Sequence, residues 1–133
     1  LTPQLQAQAA ALAPLSVQFL GFKNQQELPP YYLAADVLVL PSRQAGETWG
    51  LVVNEGLQAG LACIVSGAAG CTADFGAVPG VEVIPPGDAT AMAKAIEQVA
   101  GWPRLFDRYR QLVQGISTTA AAEAIVQHIN QLD

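Results

Sequence analysis

Two short apolar runs constrain this chain more than anything else in it: Val-Leu-Val-Leu at residues 37–40 and Ala-Cys-Ile-Val-Ser at 62–66. Neither run alternates with polar residues. A strand with one wet face would alternate, whereas an unbroken apolar strand is covered on both faces, as in a parallel sheet between helix layers. Pro41 and Ser42 end the first run, which opens at Asp36. Residues 43–48 form a polar loop with one glycine and one glutamate, and Trp49-Gly50 leads into a segment of helical periodicity closed by Gly60. In that segment Leu51, Val52, Glu55 and Ala59 fall within one stripe. The unit reads strand, loop, helix, strand. Its loop lies at the carboxyl end of a buried strand, where open α/β sheets bind ligands.

The rest of the chain repeats this grammar. Residues 2–12, rich in alanine, leucine and glutamine, predict a helix that starts at Thr2-Pro3 and ends before Pro14. Residues 16–20 alternate and predict a strand, 21–26 a turn, and 27–35 a short helix whose Pro29 and Pro30 fit only a first turn. Tyr31 and Tyr32 of that helix pack or line its exposed edge. After the second apolar run, Gly67-Ala68-Ala69-Gly70 is either a plain loop or a small-residue turn that lets backbone amides approach a ligand. Residues 81–84 predict a third strand of this half. Pro85-Pro86-Gly87 turns the chain, and Asp88 or Thr90 caps a helix to about residue 100, with Ala91, Ala95 and Val99 on one side and Met92 and Ile96 beside them. Pro103 starts a helix over 103–113, carrying Leu105, Tyr109 and Leu112 on one side. Residues 117–132 form a last amphipathic helix with the stripe Ala121, Ile125, His128 and Ile129. His128 reads as a helix-face residue and not as a catalyst.

Length and composition narrow the class. The 133 residues are one domain's worth of chain, long enough to bury a core without staples. Apolar residues make up 51% and charged ones only 13%, which excludes a disordered chain and fits a core-rich α/β domain. The net charge of −5, with no cluster of lysines and arginines, argues against nucleic acid as a partner. Cys63 and Cys71 are too few for a disulfide framework, and with a single histidine they make no metal site. Cys63 reads as a small core residue and Cys71 as a loop residue. No apolar stretch is long enough to span a bilayer and no signal peptide is visible, so the cytoplasm is the default location.

Two carboxylates stand out, Glu47 before the helix and Glu55 about one and a half turns into it. On the apolar stripe Glu55 would be costly without hydrogen-bond donors. The hydroxyl groups of a ligand would supply them. In the plainer alternative, Glu47 belongs to a solvated first turn favoured by the helix dipole and Glu55 reaches water.

The order and spacing of these pieces carry a resemblance. Pro41-Ser42 after a strand, two glutamates separated by seven residues (Glu47-Thr48-Trp49-Gly50 and Glu55-Gly56-Leu57-Gln58-Ala59-Gly60) and the strand Cys63-Ile64-Val65-Ser66 resemble the donor-binding core of retaining glycosyltransferases built from two Rossmann-like domains, the GT-B type, family 4-like. The residues at 17–22, Glu27-Leu28-Pro29, Ala35-Asp36 and Pro86-Gly87-Asp88 extend it over residues 16–100. The resemblance implies a three-layer, Rossmann-like partial α/β domain over residues 1–133, with a mostly parallel sheet of about four strands and helices on both faces. It implies the C-terminal, donor-binding part of a hexosyltransferase, without the N-terminal acceptor domain and inactive alone.

By this resemblance Glu55 accepts hydrogen bonds from ribose hydroxyls, and Glu47 is the catalytic-site residue that orients the transferred sugar. Thr48 belongs to the donor-binding residues, and the amides of Trp49, Gly50 and Leu51 meet the diphosphate, with Gly50 a glycine so that the ligand can come close. Gly21 and Phe22, with Lys23, border the base, and Gly70 and Cys71 border the donor sugar. The expected partner is a nucleotide diphosphate sugar, with no cofactor and no metal. The family's arginine and lysine against the diphosphate have no matching position here, which leaves Lys23 and Arg43 as nearby candidates. Two strands of the family's sheet are also without counterparts. Either 16–20 therefore pairs directly with 36–40, or two chains complete each other's sheets as a homo-oligomer. The competing reading keeps the inherited fold but makes the chain a non-catalytic assembly domain. A third is an unrelated α/β binding protein.

Overall fold

In the computed structural model, which describes residues 3–43, 48–104, 106, 107, 111 and 117–131, the two apolar runs are neighbouring parallel strands. Strand β1 is Val37–Leu40, β2 is Ala62–Ser66 and β3 is Val81–Ile84, and the sheet order is β1-β2-β3. Val37 pairs with Ala62 and Leu40 with Val65; Cys63 pairs with Val81 and Ser66 with Ile84. The helices are α1 (Pro3–Ala10), α2 (Pro29–Ala34), α3 (Leu51–Gln58), α4 (Thr72–Phe75), α5 (Ala89–Val99) and α6 (Thr118–Ile129).

Every residue of β2 is buried, as its unbroken apolar sequence requires. Its side chains alternate between two cores. Cys63 and Val65 join Val53, Leu57 and Phe75 on one face; Ala62 and Ile64 join Ile84, Ala95 and Val99 on the other. The first face is covered by α3 and α4, the connections that step from β1 to β2 and from β2 to β3. The second is covered by α5. Each fully buried Leu, Ile, Val or Phe here contributes about 1.5–3 kcal/mol. Asp88 caps α5 by accepting from the Ala91 amide at 2.8 Å, and Ser117 caps α6 by accepting from Ala120 at 3.1 Å.

Among the described residues the sheet has three strands, where the sequence suggests about four. Residues 16–20 form no strand, and Val17, Phe19 and Leu20 remain more than two-fifths exposed. The alternation at 16–20 supplies a strand's two faces but no ladder, and a strand without a hydrogen-bonded neighbour is not a stable element. Direct pairing of this segment with β1 is not formed. Of the helix over 103–113, most residues lie outside those described. Arg104 nevertheless reaches back to donate to the Ala35 carbonyl and lies 3.6 Å from Asp36, closing the amino end of β1. The last helix has no buried residue, so its Ile125 and Ile129 stripe faces outward along with His128. None of the helices among the described residues is long and apolar enough to cross a membrane.

The inner face of α3 also differs from the stripe read in the sequence. The residues against the sheet are Val53, Gly56 and Leu57, while Leu51 is two-thirds exposed and Glu55 lies on the flank. Gly56 explains the shift. A Cβ there would sit 2.8 Å from Leu38 Cδ2 and 3.3 Å from Cys63 Sγ. The helix packs closest where it has least side chain, and a glycine at the centre of a buried stripe carries no hydrophobic signal.

Cys63 and Cys71 are both fully buried in the first core. Burial, with a smaller contribution from Cys71, pushes the Cys63 thiol from 9.0 up to about 12. In the unfolded chain the thiol ionises near its ordinary value, so the stability tied to keeping it neutral is complete below pH 9 and is lost as pH rises toward 12. Two results are expected. Cys63 resists iodoacetamide at neutral pH until the protein is unfolded, as read by mass spectrometry. Urea stability falls between pH 9 and 11, by at most about 1.4 kcal/mol per pH unit from this group, and less steeply in Cys63→Ala.

Candidate functional site

The site is built where α2 meets α3. Asn24 sets the start of the α2 approach: its Oδ1 accepts from the amides of Gln26 (2.9 Å) and Glu27 (3.1 Å), and Glu27 Oε2 accepts from the Asn24 amide at 3.1 Å. This reciprocal pattern is that of a capping box. Pro29 and Pro30 occupy the first turn of α2, where a missing N–H costs nothing. The helix then presents Tyr32 toward α3, and the Tyr32 hydroxyl donates to Glu55 Oε2 at 2.7 Å. Burial, then the hydrogen bond and charge of Glu55, push the Tyr32 phenol well above its ordinary 10.0, so it remains a donor at neutral pH. Tyr32 and Glu55 open into a cleft of about 380 Å³. Leu28, Pro29 and Leu33 give it apolar walls, and Gln25 and Gln58 add carboxamides.

Above Glu55 stands the amino end of α3. Gly50 precedes it with φ +99°, a left-handed conformation that favours glycine. A Cβ at Gly50 would meet Leu40 Cδ2 at 2.8 Å and Cys71 Sγ at 3.0 Å. The glycine is thus required by the fold before any ligand is considered, a reason separate from the ligand approach argued from the sequence. Among the described residues, the amides of Trp49, Gly50 and Leu51 donate to no backbone acceptor. Leu51 and Glu55, four residues apart, lie along one side of α3.

The 67–71 turn buttresses this corner. Cys71 donates its amide to the Trp49 carbonyl at 2.7 Å, and Trp49 Nε1 donates to Asp74 Oδ2 at 3.0 Å. The Trp49 ring meets Phe75 edge-on, with centroids 5.5 Å apart. Gly70 lies directly against the Thr48 carbonyl. Both expected sugar-side residues therefore face protein: Gly70 makes room for Thr48, and Cys71 has its side chain in the core. Periodicity could not show this, because the contact joins two loops more than twenty residues apart.

Other expected residues divide. Glu47 lies outside the described residues. Gly21 has φ +68°, and Phe22 is 91% exposed; neither lines the cleft, which the same segment reaches through Gln25 and Leu28. Lys23 is held 3.8 Å from Glu27 and 5.7 Å from the Tyr31 ring centroid. Arg43 lines a second hollow with Ser66 and Asp88, at the carboxyl ends of the strands. Among the described residues no cluster of His, Cys, Asp and Glu could hold a metal ion. The residue that sequence reasoning left without a role is Tyr32. Its one signal was a second tyrosine beside Tyr31, since neighbours on a helix face different ways.

Comparison with known proteins places this geometry in context. A family model described as glycosyl transferases group 1 matches residues 1–101. Among solved structures, a sucrose-phosphate synthase from Thermosynechococcus elongatus is similar with a TM-score of 0.77 and 30% sequence identity. The match covers 97% of this chain and 33% of that one, so the chain spans about a third of that protein's length. No curated protein matches the chain.

A Cβ at residue 70 would lie 2.3 Å from the Thr48 carbonyl oxygen, a backbone atom that cannot step aside like a side chain. Gly70→Ala is therefore expected to lower the stability in urea unfolding by about 1–3 kcal/mol. It should also quench or shift Trp49 fluorescence in the folded state, since the 48–50 corner must move.

Proposed function

The chain belongs to the glycosyl transferases group 1 family, and on that premise we propose that it is the nucleotide-sugar donor-binding part of a retaining glycosyltransferase of the GT-B type. In the full-length enzyme a hexose passes from a nucleotide diphosphate sugar to an acceptor. The bond between the anomeric carbon and the diphosphate oxygen breaks, and a bond from the acceptor oxygen forms on the same face. Charge develops on the departing diphosphate, so preorganised donors aimed at it lower the barrier. The amides of Trp49, Gly50 and Leu51 serve that role at the positive end of α3, with Thr48 beside them. Arg43, in the hollow at the carboxyl ends of the strands, is the candidate cation to assist. Glu55 accepts the ribose hydroxyls in the cleft, and Glu47 orients the hexose. The chain by itself binds donor and does not turn it over.

The observation that carries this reading is Glu55: a carboxylate in a walled cleft, whose one hydrogen-bond donor among the described residues is the neutral Tyr32 hydroxyl. An acceptor so placed, one turn beyond helix amides that meet no backbone acceptor among the described residues, suits a ligand with hydroxyls at one end and an anion at the other. The second reading, a domain that serves assembly as a homo-oligomer or against another glycosyltransferase half, has its own support. Only β2 flanks β1 among the described residues, and Val17, Phe19 and Leu20 of the unpaired segment at 16–20 are exposed.

Calorimetry with uridine, adenosine and guanosine diphosphates and their sugars separates the two. We expect one of them to bind with Kd below ~1 mM, and Glu55→Ala to weaken it by at least about tenfold with unchanged circular dichroism. No binding by any of them, or binding indifferent to Glu55→Ala alongside a stable dimer in sedimentation, replaces this reading with the second.

A further inference from the structure

Glu55 faces the cleft from the flank of α3, and no cation pairs with it among the described residues. A lysine or arginine would neutralise the carboxylate and occupy its lone pairs. Tyr32 does neither. Its hydroxyl takes one lone pair of Oε2 at 2.7 Å and leaves the negative charge in place. A carboxylate offers about four lone-pair sites, so a vicinal diol can still be accepted by the rest. The two residues come from elements 23 positions apart in sequence, and the bond ties the α2 wall of the cleft to the α3 wall. Tyr31, next to it, has the Lys23 ammonium 5.7 Å from its ring centroid and does not line the cleft.

We propose that Tyr32 is a positioning residue for ribose recognition: its hydroxyl fixes the Glu55 carboxylate in the one orientation in which the remaining lone pairs meet the diol of a nucleoside diphosphate. This rests on the reading of Glu55 as the ribose acceptor. Without the phenol the glutamate samples other rotamers and water, and the loss falls on the diol alone. Binding of the base and the diphosphate does not pass through Glu55.

The test measures binding of the tightest of uridine, adenosine and guanosine diphosphate, and of its dideoxy counterpart, to the full chain by calorimetry. Tyr32→Phe, which keeps the ring in its packing, should weaken the ribonucleotide about fivefold, the equivalent of about 1 kcal/mol, and leave the dideoxy nucleotide unchanged. Tyr31→Phe should change neither. In a Glu55→Gln background, where the preference for ribose is already lost, Tyr32→Phe should have no further effect. An equal loss of both nucleotides in Tyr32→Phe marks Tyr32 as structural only and overturns the proposal. So does an unchanged ribose preference in Tyr32→Phe when Glu55→Gln abolishes it; there the Glu55 reading survives. A ribose preference indifferent to Glu55→Gln, or no nucleotide binding at all, overturns both.

Discussion

The structure depends on β2 being dry on both faces. A parallel strand in the middle of a sheet must give up water along its whole length, and only paired backbone groups and apolar side chains make that favourable. Ala62, Cys63, Ile64 and Val65 meet that demand residue by residue, and the buried Ser66 hydroxyl accepts from the Ala68 amide at 3.2 Å, with β1 on one side and β3 on the other. Once β2 is buried, the alternation of its side chains divides the apolar residues of α3, α4 and α5 between two cores. The placement of every helix that matters to the site follows from that division.

Close packing of α3 is the second constraint, and small residues set it. Gly56 lets the helix settle on Leu38 and Cys63, and Gly50 lets the chain turn into it against Leu40 and Cys71. Gly70 admits the Thr48 carbonyl on the other side of the same corner. Gly50 and Gly70 flank the amino end of α3, where among the described residues the amides of Trp49, Gly50 and Leu51 meet no backbone acceptor. A ligand-binding corner must hold backbone still without filling the space in front of it, and glycines packed behind the corner achieve both.

The periphery contrasts with this centre. The segment at 16–22 and the face of α6 keep large apolar side chains in water, and neither α1 nor α6 buries a residue. The stability of the domain therefore resides between β1 and α5. The Tyr32–Glu55 bond links the outermost packed helix, α2, to that centre. It is a polar tie at the border between the rigid core and the loosely covered rim.

The sequence by itself determined the core: two apolar runs and the segment at 81–84 gave three strands, two of them with the same bounds as in the structure, and Asp88, offered beside Thr90, and Ser117 marked helix starts. The α/β class and the family resemblance were also legible, because both rest on local order and spacing. It did not determine the fourth strand, since the alternation at 16–20 describes side chains and a strand exists only where a neighbour accepts its backbone. Nor did it give the buried face of α3, whose centre is a glycine. Only tertiary structure decided that Gly70 and Cys71 face protein, that Tyr32 reaches Glu55, and that the cleft opens between α2 and α3. Each of these is a contact between residues distant in the chain, and no local pattern carries information about what a side chain will meet after the sheet has brought the two together.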